Sequence, residues 1–311
     1  MHSLGCTPHL SPWNGTMDAD GVGIQRALSD MFPACTHPGG LAWEISTGQL
    51  PDHKVIAHSP TGVTGWAAFS ADDTRLECAP EDDATTAALT SWLFDVAAGS
   101  RFSIAVHHEQ HALQQDLISR GLVAEALPLA GLSHPAESFK AHVPSGYRIR
   151  PMEDGEEGRR IETHRRAWKP AELPFTDGSG GNIDPNAESR FSSSALESMQ
   201  AAPLYRRDLD LVIEAPDGSL AGCCTFWLDP VSGWAELEPL GIVPSHRGLG
   251  LAQTLALEAC RLTGELGGHS VFINSAPLPY YRAPWDAYLK AGFTPMNRGI
   301  RKTQAGDAHP H

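Results

Sequence analysis

The feature that most narrows the possible folds is a junction of ten residues, Pro244-Ser245-His246-Arg247-Gly248-Leu249-Gly250-Leu251-Ala252-Gln253. Before it runs a strand-like apolar segment, Trp234–Val243. After it, Leu249–Leu266 reads as a helix in which Leu251, Leu255, Ala259, Leu262 and Leu266 recur at three- and four-residue steps and share one face. Gly248 and Gly250 permit a tight turn and close backbone approach. The first N–H groups of a helix have no internal partners, and the helix dipole makes that end positive. Arg247 adds a full charge at the mouth. Together these form a pyrophosphate cradle. The spacing is not the six-residue dinucleotide fingerprint, and no Walker lysine follows.

With 311 residues the chain has length for about two domains. In its first part a helix is expected over Asp18–Met31, ended by Pro33 and Pro38-Gly39-Gly40, then strands over Leu41–Ser46, Lys54–His58 and Val63–Ser70. Ser59-Pro60-Thr61-Gly62 makes a hairpin of the last two. Strand Arg75–Ala79, helix Asp82–Ala97, strand Arg101–Val106 and helix His108–Ser119 follow. Leu127–Gly146, rich in Pro and Gly, reads as linker. The order then repeats: strand Tyr147–Arg150, helix Asp154–Ala167, a loop Lys169–Glu188, a short helix near Arg190–Met199, and a hairpin of Asp210–Glu214 with Leu220–Trp227. Beyond the glycine junction come strand Val271–Asn274 and helix Trp285–Ala291, closed by Gly292-Phe293. Leu76–Pro80 aligns with Leu240–Pro244, and Ser119–Leu122 with Lys290–Phe293, so the chain reads as a diverged tandem duplication. The expected domains are 1–130 and 146–311, joined by 131–145.

Composition sets limits. Apolar residues make up 41% and charged ones 19%, as in a globular protein. The opening segment, MHSLGCTPHLSPW, has no basic region before an apolar run, so no secretory signal is expected, and no stretch is long and apolar enough to span a membrane. Six scattered cysteines without a CxxC pair suit a reducing cytoplasm. A net charge of −14 with no basic stripe argues against a nucleic-acid partner.

Arg247-x-x-Gly250-x-Ala252 after a strand ending in Val-Pro, with Ala287-Tyr288-Leu289-Lys290-Ala291-Gly292-Phe293 about forty residues on, resembles the GNAT superfamily of acyl-CoA-dependent N-acyltransferases. The resemblance implies a mixed α/β fold, mostly antiparallel sheet flanked by helices, in two GNAT-like domains. It also implies acetyl-CoA as acyl donor, direct transfer to an amine, and no metal. By it, Trp234–Val243 splays from Val271–Asn274 and pantetheine enters the gap. Backbone groups of Leu240, Gly241 and Ile242 pair with it, the amides from Arg247 through Gly248, Leu249, Gly250, Leu251 and Ala252 to Gln253 hold the pyrophosphate, and Asn274 also touches the cofactor. Tyr288 would protonate the departing thiolate. Tyr281 stands where many relatives carry an Asn, which puts that contact in doubt.

An alkylammonium must lose a proton before it attacks a thioester. Glu236 and Glu238, two apart on one strand, are the candidate bases, the family's frequent glutamate matching Glu236. Two carboxylates on one face raise one pKa and attract a cation. Trp168, Phe175, Asp177 and Asp184 fall in the family's acceptor-binding loop. In the first half Glu81-Asp82-Asp83 occupies the place of Arg247, so that half is expected to have lost its CoA site. His107-His108-Glu109-Gln110-His111 has the wrong spacing for a zinc motif, because the glutamate does not directly follow the first histidine of an i, i+4 pair. The acceptor is expected to be a small-molecule amine, the chain a monomer or homodimer. Peptide N-acetylation and non-catalytic acyl-CoA sensing are the alternatives.

Overall fold

The computed structural model describes residues 7–70, 72–137, 142–173, 184, 186–275 and 281–304. In the first half the elements are β1 (His9–Pro12), α1 (Ala19–Met31), α2 (Pro38–Thr47), β2 (His53–Ser59), β3 (Gly62–Phe69), β4 (Thr74–Cys78), α3 (Asp83–Ala97), β5 (Ser103–His107), α4 (His111–Ser119) and β6 (Leu122–Pro135). The second half repeats that order element for element: β7 (Arg148–Pro151), α5 (Glu157–Ala167), α6 (Ser193–Ala201), β8 (Asp210–Glu214), β9 (Leu220–Leu228), β10 (Trp234–Ile242), α7 (Leu251–Glu265), β11 (Ser270–Ile273), α8 (Ala283–Lys290) and β12 (Thr294–Gln304). Among the described residues no helix is long and apolar enough to cross a membrane.

The chain folds as two compact units that do not follow the duplication boundary. One holds the residues up to 41, 49–129 and those from 297 on; the other holds 42–48 and 130–296. In the first unit β1-β2-β3-β4 form an antiparallel sheet. Val55, Ala67, Leu76, Leu89, Leu93 and Ile104 are among its core residues. β5 pairs antiparallel with β12, Ser103 opposite Thr303 and His107 opposite Gly299. In the second unit the order is β6-β11-β10-β9-β8-β7, and β10 with β11 is its parallel pair. Leu211, Phe226, Leu237, Leu255, Ala259 and Val271 lie in its core. Each repeat's last strand thus completes the other repeat's unit.

The second unit takes up the chain at residue 130 and not at the expected 146, and gives up the residues from 297 on. Residues 131–135, expected as linker, are strand: Leu132–Pro135 pairs with Ile273–Ser270. Gly131, which suggested a linker, is a packing residue, since a Cβ there would lie 2.5 Å from the Phe272 ring. β12 was not expected at all. Its buried residues are Arg298, Gly299 and Lys302, so no apolar alternation marks it. Gly299 runs so close to β5 that a Cβ would sit 2.0 Å from the Val106 carbonyl oxygen. Leu41–Ser46, expected as a strand, lies in helix α2. A short run that is apolar on every side has no period that separates strand from helix, and Pro38 starts a helix as readily as it ends one.

Candidate functional site

β10 and β11 pair in parallel only from Trp234 with Ser270 to Glu236 with Phe272. Beyond that point β10 turns away. On its other side it stays paired with β9, through Leu240 with Cys224 and Ile242 with Gly222, across a bulge that contains Glu238. A bulge bends a strand and re-aims its side chains. Here it opens a cleft of about 690 Å³ between the diverging strands. The expected splay is therefore present.

The expected cradle lies on the cleft wall. Gly248 and Gly250 have φ of 78° and 77°, the left-handed region where glycine is free and other residues are strained. Through them the chain enters α7, whose first turn has no side-chain cap. Arg247, Gly248, Gly250, Leu251, Ala252 and Gln253 all border the cleft. Leu249 is outside it, with 48% of its surface exposed. In the first unit the matching helix start is closed: the Asp82 carboxylate accepts from the Thr85 N–H at 2.9 Å and from its hydroxyl at 2.6 Å. With Asp83 also in the first turn, that end repels an anion.

Arg247 does something other than expected. Its Nε donates to the Ile242 carbonyl at 3.2 Å, one Nη to Ala167 at 3.1 Å, and the other to the Glu172 carbonyl. The guanidinium thus clamps the end of α5 and the turn after it against the end of β10. Gly241 serves the same packing, for a Cβ there would lie 2.8 Å from the Ala167 methyl and 3.0 Å from Trp168 Nε1. Arg247→Ala is expected to lower stability by about 1–3 kcal/mol, because three carbonyls lose a charged donor. Arg247→Lys should recover only part of this, since one ammonium lacks the planar fork. Thermal unfolding measures both, and an unchanged midpoint for the alanine variant would show the clamp to be idle.

Leu240, Gly241, Ile242, Asn274 and Trp168 also line the cleft. Phe175 and Asp177 lie outside the described residues, and Asp184 is exposed. The two glutamates part company. Glu236 is buried in the sheet between Trp227 and Phe272. Glu238 borders the cleft, half-buried, and its carboxyl is pushed up to about 7, first by desolvation and then by the negative charge of Glu44. Tyr288 is buried at the same cleft, its hydroxyl pushed well above the ordinary phenol range by burial, with Cys224, Glu238 and Tyr281 adding to the shift. It stays a proton donor across the working pH range. Tyr281 borders the cleft too.

Two contributions had no signal in the sequence. Glu44 sits in a segment that reads as part of the first half. Arg160 and Asp210 form a fully buried pair at 2.9 Å, completed by Thr225 and Tyr205, which seats α5 on β8 and β9. An arginine among the polar residues of an otherwise surface-like helix gives no sign of facing inward. No metal-holding cluster of His, Cys, Asp or Glu occurs among the described residues. His107 is buried within the first unit and pushed down to about 3, chiefly by desolvation.

Residues 184–293 match the model of the Acetyltransferase (GNAT) family. The chain carries a GNAT acetyltransferase domain. It is an acyl-CoA-dependent acetyltransferase, and its fold is that of a tandem GNAT protein. A tandem GNAT protein from the clavulanic acid biosynthesis pathway is similar over 97% of this chain and 100% of its own, at 16% identity and a TM-score of 0.55. A GNAT-family acetyltransferase from Colwellia psychrerythraea is similar over 95% and 98%, at 13% identity and a TM-score of 0.55. A GCN5-related N-acetyltransferase from Sphaerobacter thermophilus is similar over 97% and 96%, at 15% identity and a TM-score of 0.50. No curated protein matches the chain.

Proposed function

We propose that the GNAT domain transfers acetyl from acetyl-CoA directly to the primary amine of a small molecule, using Glu238 as base and Tyr288 as acid. One observation carries this reading. The uncapped start of α7, a carboxyl poised near neutrality and a buried phenol all border a single cleft. The amides of the α7 first turn suit the pyrophosphate, and the unpaired edge of β10 suits the pantetheine amides. Glu238 takes the proton of the bound ammonium, and the freed nitrogen lone pair forms the C–N bond as the C–S bond breaks. Tyr288 gives its proton to the sulfur, and the second proton shed by the nitrogen replaces it.

In the first unit the helix start that matches α7, that of α3, has no glycine turn and is capped by Asp82, so this unit serves as scaffold. Titration calorimetry with acetyl-CoA is expected to give one site per chain, followed by thiol release when an amine is added. A stoichiometry of two would place a donor site in the first unit and overturn this division of labour. Saturable binding with no thiol release from any amine would make the domain a sensor.

A further inference from the structure

His246 ends the single helical turn Pro244–His246 that joins β10 to the two glycines. It is half-buried and borders the cleft beside Arg247, Gly248 and Gly250. Its Nδ1 lies 3.0 Å from the Tyr147 hydroxyl, and the two rings meet edge to face at 5.9 Å. Tyr147, just before β7, packs against the core of the second unit, so the imidazole is anchored from behind. A phenol can donate to Nδ1 or accept from it, and the anchor therefore holds whether the ring is neutral or charged. Nε2, on the opposite side of the ring, is neither buried nor hydrogen-bonded among the described residues.

The backbone at this end of the cradle has its donors engaged. The His246 N–H donates to the Val243 carbonyl at 2.9 Å, and the Arg247 N–H to the Pro244 carbonyl at 3.2 Å. The cradle's amides therefore begin past these two residues, toward the uncapped first turn of α7. The Arg247 guanidinium is fixed in place by three carbonyls and cannot swing over to take a ligand without releasing them. A diphosphate lying on the α7 amides thus has, at the end where the chain leaves β10, one unspent side-chain donor, and it is the imidazole. The charge of the cleft suits an anion. Among its described lining residues Glu238 is the one carboxylate, and Arg247 and Lys290 are cations. Asp217, a carboxylate within reach of the His246 charge, is exposed on the turn between β8 and β9, where it accepts from the Ser219 N–H at 2.9 Å and hydroxyl at 2.7 Å.

Resting on the acetyltransferase reading above, we infer that His246 is a ligand of the donor's pyrophosphate: Tyr147 holds Nδ1, and Nε2–H donates to a phosphate oxygen beside the α7 amides. Tyr147 is then a positioning residue that acts through His246. The two aromatic side chains extend the cradle from backbone amides to a side chain carried at the end of β10.

The test titrates the full chain with CoA and 3′-dephospho-CoA by calorimetry, and with pantetheine by ligand-observed NMR. His246→Ala should weaken CoA and 3′-dephospho-CoA alike, each by about tenfold, the loss of one charge-assisted hydrogen bond. Pantetheine, which has no phosphate, should bind the variant within about twofold of the wild type. His246→Gln should recover part of the loss, because its amide nitrogen reaches about as far as Nε2 and still donates. Tyr147→Phe should cost about threefold, and almost nothing when His246 is already alanine, as a residue acting through another requires. In the wild type, diethyl pyrocarbonate should modify His246, as read by peptide mass spectrometry, and saturating acetyl-CoA should slow that modification about fivefold or more. An alanine variant with unchanged CoA affinity overturns the inference. So does a loss confined to CoA, which would move His246 to the 3′-phosphate, or an equal loss for pantetheine, which would make it a packing residue. Modification that acetyl-CoA leaves at full rate also overturns it, and decides the matter even if the variants fail to fold. A wild type that binds neither CoA nor 3′-dephospho-CoA defeats the acetyltransferase reading and this inference with it.

Discussion

Glu238→Gln should lower kcat at pH 7 by about 100- to 1,000-fold, within the range general-base catalysis contributes. The glutamine keeps the shape of the carboxyl and removes its basicity. In the wild type, kcat/KM should rise as pH increases through about 7, where Glu238 ionises. In the variant that limb should vanish, and the rate should climb steadily toward the pKa of the amine, since only the unprotonated acceptor reacts. Stability should move the other way. The folded-state pKa of Glu238 lies above its ordinary 4.5, so its favourable linkage is complete below about 4.5 and is lost as pH rises through about 7. The variant lacks that loss and is expected to melt about 2–4 °C above the wild type at pH 8, with no advantage at pH 4. A variant with the full rate and the same acidic limb would send the proton by another path. One that melts lower at both pH values would show that the loss of rate reflects damaged packing.

The parts of this molecule that were legible in the sequence are those in which local chemistry and tertiary role coincide. The glycine turn into α7 is one: the left-handed φ of Gly248 and Gly250 and the uncapped first turn follow from the residues themselves. The capping of α3 by Asp82 is another, a negative charge where a negative ligand would otherwise bind. What was not legible depends on partners distant in the chain. β12 has no apolar alternation because β5 receives Gly299 where a larger residue would clash. The charge of Glu44 acts on Glu238, nearly two hundred residues away in the chain. The pair Glu236 and Glu238 shows the limit most sharply. Alternation along a strand puts residues two apart on one side, yet the bulge after Leu237 leaves one buried and the other at the cleft.

Arg247 shows a related limit. Its position in the motif was legible, and its task was not. The guanidinium is fixed by three carbonyls, which are neutral, so its positive charge stays at the cleft beside the helix amides and dipole. The signature arginine here also clamps the end of α5 and the turn after it to the end of β10. Gly241 tightens the same joint.

Tyr288→Phe should slow turnover about ten- to a thousandfold while acetyl-CoA affinity stays within about threefold, because a lost proton donor affects the leaving group and not the binding of the donor. The ring itself is buried and packs 6.0 Å from Phe293, contacts that phenylalanine keeps. The lost hydroxyl is a donor and not a base: burial, then the fields of Cys224, Glu238 and Tyr281, hold its proton on across the whole working range. The departing thiolate has an ordinary thiol pKa of about 8–9, so it leaves tolerably without help, which keeps the loss below that of a missing base. The same fact gives the variant a signature. Its deficit should be largest near pH 7 and narrow as pH rises past about 9, where the thiolate needs no proton. A deficit constant with pH and matched by weaker acetyl-CoA binding would make Tyr288 a packing residue. Unchanged kcat under conditions where chemistry limits the rate would remove it from the mechanism altogether.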